Sequence, residues 1–400
     1  MNQALKDQRV QELISLYNNG DVKECLLRAK KVAKIYPEEP FVFNLIGVVS
    51  ASIGSYEEAI ESYKRALKIN PNYFEVYNNL GVALNDSKKP KDAISYLRKA
   101  LKINPHYPEA YNNLGNALKE IERLDQAIES YENAIKLNPK FIDPYTNLAI
   151  VFASKKNENE KAEYYFKKAL EISPENSEAL KYFSDFLVSI QRYSEAKVLL
   201  EKCLILVPRN PDVLNLLGQV YKSENFEKAL EFYNNALHLS EDKESIQNNI
   251  GALYFEFNKV KRAIRYFKKI SNSGGNTKTL LNLAYAYIAD NRFKEGWEKY
   301  EYRWKVDPGD KVVWPLKDKP LWDGKSASGV LLWREQGIGD DIIFLGLVPE
   351  AYEKAGKDMT VLIDPRLVAM CERSMPGIEF LPAVKGSVQE DRFDYHLPMG

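Results

Sequence analysis

Cysteine, histidine and methionine are scarce in these 400 residues, with three, three and five copies, and neither sign of charge prevails. Cys25, Cys203 and Cys371 stand far apart, with no second cysteine or histidine at ligand spacing. That excludes a zinc knuckle and a disulfide framework and points to a reducing cytoplasm. His106, His238 and His396 are as scattered, so no metal is expected. The 56 Lys and Arg match the 56 Asp and Glu, leaving no excess positive charge to hold phosphate backbones or anionic lipid. Nucleic acid is therefore not an expected partner. Long apolar runs are missing too. The longest, Phe41 to Ile53, is interrupted by Asn44, Ser50 and Ser52, and the opening MNQALKDQRVQELI lacks the apolar segment of a signal peptide, so no membrane span is expected.

What is abundant is repetition. Prolines fall at Pro37, Pro71, Pro105, Pro139, Pro174 and Pro208, 34 residues apart except for one step of 35. Before them recurs one text: YEEAIESYKRALKINP, PKDAISYLRKALKINP, LDQAIESYENAIKLNP, NEKAEYYFKKALEISP. Apolar residues at three- and four-residue spacing predict an amphipathic helix, and proline, having no N–H to donate, ends it. The other half of each repeat, VYNNLGVALND or AYNNLGNALKE, predicts a second helix. Small residues mark where the two meet: Gly81 and Gly115 on one, Ala59, Ala93 and Ala127 on the other.

These residues resemble the tetratricopeptide repeat, whose helix-turn-helix units stack into a right-handed superhelix with a concave groove. The resemblance runs from about Lys6 to Val306 and implies about eight or nine units, counted by repeat length. Later copies are irregular: KKNENEK carries an extra residue, SENFEKALEFYNNAL is one short, and SNSGGNTK has glycines in place of the proline stop. Tyr63, Tyr77, Tyr111, Tyr131, Tyr145 and Phe166 recur at positions expected to pack against neighbouring helices. Asn79, Asn113, Asn147, Asn249 and Asn282 occupy one position in successive first helices, the face that lines the groove in such superhelices. A column of amides there can hold an extended peptide backbone, as a similar asparagine ladder does in O-linked N-acetylglucosamine transferases. Common repeat text is the competing explanation, and the column is interrupted at the repeats containing Ser184 and Asn215.

The array closes on FKEGWEKYEYRWKVDP, where Gly296 replaces the usual alanine and Trp297, Tyr300, Tyr302 and Trp304 supply an aromatic cap for a following domain. Pro308, Pro315 and Pro320 with Gly309, Gly324 and Gly329 make residues 307–329 a linker. After it the pattern alternates: VLLW, MTVLID, IEFLPA and FDYHLPMG as strands, DIIFLGLVPEAYEKAG and PRLVAMCERSM as helices. That predicts a parallel doubly wound, Rossmann-like sheet, with Gly337 and Gly339 in its first turn, where glycine lets a ligand approach the backbone. Ile342 stands where a dinucleotide fingerprint needs glycine, and no Walker lysine follows. Asp340 falls at the helix start, a capping position. Asp341 points about a quarter-turn away from it, so the two acids are not a facing pair.

WREQGIGDDIIF, with PLWDG before it, resembles bacterial tetratricopeptide proteins whose C-terminal part is similar to the heptosyltransferase-type glycosyltransferases of family 9. The resemblance implies a GT-B N-terminal lobe in residues 330–400, sugar transfer from a nucleotide-sugar donor to a protein or glycan acceptor, and Asp340 as the base that deprotonates the acceptor hydroxyl. Gly337, Gly339 and Glu335 belong to the same turn; the family usually has a small apolar residue at the Asp341 position. No other cofactor is implied. Only about 70 residues follow Gly329, less than a typical domain, so the donor-binding lobe is expected to be missing and the chain by itself to be inactive in transfer. The alternative is a non-catalytic scaffold that binds protein or peptide in the groove, with residues 1–306 as its working part.

Overall fold

Asparagine before proline sets the pitch of the first repeats. Asn70, Asn104 and Asn138 end their helices in an extended conformation, as the following proline demands. Each then accepts, on its side-chain oxygen, the N–H two residues on, at 3.1 Å. This Asx turn aims the chain into the next helix. In a computed structural model describing residues 3–155, 157–272, 276–305, 316, 319–325, 327–334, 341–342, 344–384 and 387–399, the helices pair in chain order. The pairs are α1 (Gln3–Asn18) with α2 (Val22–Ile35), α3 (Pro40–Ser52) with α4 (Tyr56–Ile69), α5 (Phe74–Asp86) with α6 (Pro90–Ile103), and α7 (Pro108–Glu120) with α8 (Leu124–Leu137). Next come α9 (Ile142–Ser154) with α10 (Asn159–Ile172), α11 (Ser177–Ser189) with α12 (Tyr193–Leu206), and α13 (Pro211–Tyr221) with α14 (Phe226–Leu239). The last are α15 (Lys243–Glu256) with α16 (Val260–Asn272), and α17 (Thr277–Ala289) with α18 (Phe293–Tyr300). The described residues thus hold nine helix pairs.

In five of the nine described pairs the helices touch through the absent side chain of a glycine. A Cβ on Gly47, Gly115, Gly218 or Gly251 would lie 2.4–2.5 Å from the ring of Tyr63, Tyr131, Tyr233 or Phe267, and one on Gly81 would lie 2.5 Å from Leu97. Those rings are almost wholly buried, as are Ala59, Ala93 and Ala127. Each buried large side chain contributes about 1.5–3 kcal/mol of hydrophobic transfer. Of the aromatics expected in the core, Tyr63, Tyr131 and Phe166 are buried, whereas Tyr77, Tyr111 and Tyr145 are half-buried. Turns between first and second helices pass through a left-handed residue at Gly20, Gly54, Lys88, Glu122, Asn157, Gln191, Asn258 and Asn291. The copy that is one residue short has no such residue in its turn, and its first helix, α13, has 11 residues where its neighbours have 13 or 14.

Two compact units divide the chain, Met1–Gly275 with Ala289–Asn291, and Asn276–Ile288 with Arg292–Gly400. The second holds a four-stranded parallel sheet of β1 (Val330–Arg334), β2 (Met359–Ile363), β3 (Glu379–Pro382) and β4 (Tyr395–Met399), in the order β3-β2-β1-β4. Leu332 pairs with Val361 on one side and Leu397 on the other. β1 and β2 are near-continuous apolar runs because both faces are covered. Val330, Leu332, Val361, Ile363 and Phe380 pack on one face, Leu331, Trp333, Leu362 and Phe393 on the other. Gly329, at φ +62°, donates its N–H to Asp358 at 2.8 Å and accepts from the Asp394 N–H at 2.9 Å; a Cβ there would meet Asp394 N at 3.1 Å.

Two expectations change here. DIIFLGLVPEAYEKAG does not form one helix: a 3-10 turn, Leu345–Leu347, precedes α19 (Val348–Lys354), because Pro349 cannot donate into a preceding turn and starts a new helix instead. PRLVAMCERSM yields α20 (Val368–Ser374). Inside the stretch expected to be a linker, Leu321 bridges His396 in parallel, the Trp322 N–H donates to the His396 carbonyl at 2.8 Å, and Leu316 and Trp322 are buried.

Candidate functional site

The asparagine column is tied to itself. Asn79 donates from Nδ2 to Asn44 Oδ1 at 3.1 Å, Asn113 to Asn78 at 2.9 Å, Asn147 to Asn112 at 3.0 Å and Asn249 to Asn215 at 2.9 Å. The acceptor sits in each case one position earlier on the preceding first helix, so each bond stitches neighbouring repeats. Asn78 and Asn112 are 6% and 5% exposed, which makes their partners obligatory, while Asn79, Asn113, Asn147 and Asn249 are half-buried. A primary amide has two N–H donors and two lone pairs, so one inter-repeat bond leaves most of its capacity for a ligand. Asn215, expected to interrupt the column, receives Asn249. Asn282 is half-buried on α17 in the second unit.

On α11 the asparagine pair is replaced by Lys181 and Tyr182, and on α13 Asn215 is followed by Leu216. Lys181 and Tyr182 on α11 occupy the positions that Asn78 and Asn79 hold on α5, and with Asp185, Asp212, Asn215 and Gln219 they line a recess of about 270 Å³. Lys181 Nζ lies 3.4 Å from Asp212 and 4.4 Å above the Tyr182 ring. Crowding by protein, reinforced by Asp212, pushes the Asp185 carboxyl up, against the opposing pull of Lys181. Sequence reading missed this recess; its signal was the break in the asparagine column itself.

At the carboxyl ends of β1 and β2 lies a second constellation. Asp341 is 1% exposed; it accepts the Asp364 N–H at 3.1 Å and faces Arg334 Nε at 3.2 Å. Arg334 also reaches Asp364 at 3.0 Å, and Arg366 grips both Asp364 oxygens at 2.8 and 3.0 Å. Arg366, through its side chain and its backbone N–H, with Arg334 behind it, holds the Asp364 carboxyl far below the usual range. Asp341 is thus a structural tie between two strand ends. Glu335, Gln336, Gly337, Gly339 and Asp340 lie outside the described residues. His396, 1% exposed, accepts from Trp333 Nε1 on Nδ1 at 3.0 Å, so its proton sits on Nε2, 3.1 Å from the Lys319 carbonyl. Burial pushes its pKa down, and it stays neutral and structural.

Above β1 and β4, Trp297, Leu332, Phe344, Leu347, Val348 and Leu397 border an apolar cavity of about 330 Å³. Trp297 of the expected cap therefore shares a cavity with sheet residues, and Gly296 brings α18 against Ile288. Among the described residues no cluster of His, Cys, Asp or Glu is arranged to hold a metal, and no helix is long and apolar enough to cross a membrane.

The repeats have recognisable relatives. Residues 49–88 match a TPR repeat model, and residues 74–107, 108–141 and 153–220 match tetratricopeptide repeat models. Protein FlbA of Caulobacter vibrioides is 25% identical over 269 residues, 62% of this chain and 45% of FlbA, so the chain spans under half of that relative. The crystal structure of MamA is 31% identical across 40% of this chain and 93% of MamA, with a TM-score of 0.37. A tetratricopeptide repeat protein from Parabacteroides merdae, 17% identical, superposes on 62% of this chain and 98% of its own with a TM-score of 0.52, a likeness of fold. With its 34-residue pitch, paired helices and glycine-to-ring contacts, the chain is a tetratricopeptide repeat protein.

Proposed function

We propose that this chain is an interaction scaffold that holds an extended protein segment along its first helices. The observation that carries the reading is the amide column. Half-buried amides, each held in place by one bond to the repeat before, present donors and acceptors at regular spacing along α5, α7 and α9, the pattern a peptide backbone can use. Its compartment, on the reading of the three buried free cysteines, is the reducing cytoplasm.

Sugar transfer is the second reading, favoured by one feature. In the order β3-β2-β1-β4 the connections run to opposite sides of β1, and open α/β sheets receive ligands beyond the strand ends at such a switch point. In that reading Asp340 is the base and a nucleotide sugar the donor substrate. One experiment separates the two: incubate the full chain with peptide libraries and a panel of nucleotide sugars. The scaffold reading expects peptide capture with no sugar-nucleotide consumption. Turnover that Asp340→Asn abolishes would establish transfer, and absence of any captured peptide would end the scaffold reading.

A further inference from the structure

The first-helix face carries a charge that the molecule as a whole lacks. The 400-residue chain is neutral, yet the second residue of α5, α7, α9, α11 and α13 is an acid: Glu75, Glu109, Asp143, Glu178 and Asp212. Residues two, five, six and nine of these helices share one face, since Asp212, Asn215 and Gln219 line the same recess as Lys181, Tyr182 and Asp185. The carboxylate column therefore runs beside the amide column. At the recess the balance is unfilled. Its one lysine is engaged by Asp212 and by the Tyr182 ring, while Asp185 has no hydrogen bond or ion pair among the described residues. Asp185 and Asp212 are both exposed, so a cation arriving from solvent can reach the two carboxylates directly.

Building on the scaffold reading, we propose that the occupant of this face is a basic peptide segment, and that the recess between α11 and α13 receives one of its arginine or lysine side chains between Asp185 and Asp212. The amides grip the backbone, which gives little sequence preference. The acids select charge, and the recess fixes the register of one long side chain. Tyr182 adds a ring face over which a second cation can lie. A neutral chain with an acidic face steers a basic partner without repelling others of its own kind.

The test uses the full chain and three fluorescein-labelled dodecapeptides, alternating Arg-Ser, Gly-Ser and Glu-Ser, read by fluorescence anisotropy. The expected result is at least tenfold tighter binding of the Arg-Ser probe than of the other two. The double variant Asp185→Asn, Asp212→Asn should lose most of that preference, and Glu231→Gln, on the exposed side of α14, should keep it. Both aspartates are solvent-accessible, so the double variant folds, and unchanged circular dichroism checks this. Equal binding of the three probes, or an unaffected double variant, overturns the charge assignment and leaves the scaffold reading standing. Failure of every probe to bind overturns both.

Discussion

Gly115 shows how a single residue sets the geometry of a repeat. Its missing side chain admits the Tyr131 ring, which is fully buried and donates its hydroxyl to Asn116 at 2.8 Å. A methyl group there would sit 2.4 Å from the ring, and because the ring is hemmed in, the helices themselves must part. Gly115→Ala is expected to cost about 1–3 kcal/mol, the range for overpacking a full core, measured by urea denaturation. An unchanged midpoint would mean that the α7–α8 contact yields more readily than its packing implies. At other turns the sequence departs from its own best choice: Lys88 and Glu122 adopt the left-handed conformation that Gly20 and Gly54 adopt. A side chain in that region costs roughly 1–2 kcal/mol, so repeats with glycine in this turn have a local advantage.

At the scale of elements, repeats are joined by a few specific polar bonds superimposed on apolar packing. On the side-chain face of α10, Glu163 is held by Arg192, at the N-cap of α12, and by Lys167 at 2.7 Å. Arg192 first, then Lys167, bring the Glu163 carboxyl down to about 2 from 4.5. A carboxyl whose folded pKa is depressed stabilises above its unfolded value and loses that contribution as pH falls through the folded one. Stability of the α10–α12 region should therefore decline between about pH 4.5 and 2, and Glu163→Gln should flatten that acid limb in a pH series of thermal melts. A variant with the same acid limb as the parent would show that the pair is solvent-screened to no effect. The amide column belongs to this scale as well. Changing Asn79, Asn113 and Asn147 together to alanine removes three inter-repeat bonds and leaves Asn78 and Asn112 buried without their donors, so it weakens the array along with any peptide capture.

For the whole molecule, an array whose units touch only their neighbours responds locally to change, whereas a parallel sheet joins residues far apart in sequence. All five tryptophans lie between Trp297 and Trp333, in the second compact unit, and the array from α1 to α16 has none. Helical circular dichroism thus reports mainly on the repeats and tryptophan emission only on the C-terminal unit. Gly115→Ala should move the first signal's midpoint and leave the second in place, and a matched shift in both would mean that the two units unfold as one.

Sequence alone determined what is periodic. Local rules repeated every 34 residues, an Asn-Pro stop, a glycine opposite a ring and an apolar stripe, suffice to specify helix pairs, because nearly all the contacts they make lie within about one repeat length. The alternation after Gly329 likewise sufficed for a parallel sheet, since buried strands and crossover helices leave few other arrangements. Tertiary structure decided what depends on distant partners: that the column asparagines bind one another before any ligand, that Asp341 is consumed by Arg334 and Asp364, that His396 is locked between Trp333 and Lys319, and that a broken column becomes a charged recess. A side chain's identity limits the bonds it can form; which of them it forms is set by the neighbours that folding brings within about 3 Å.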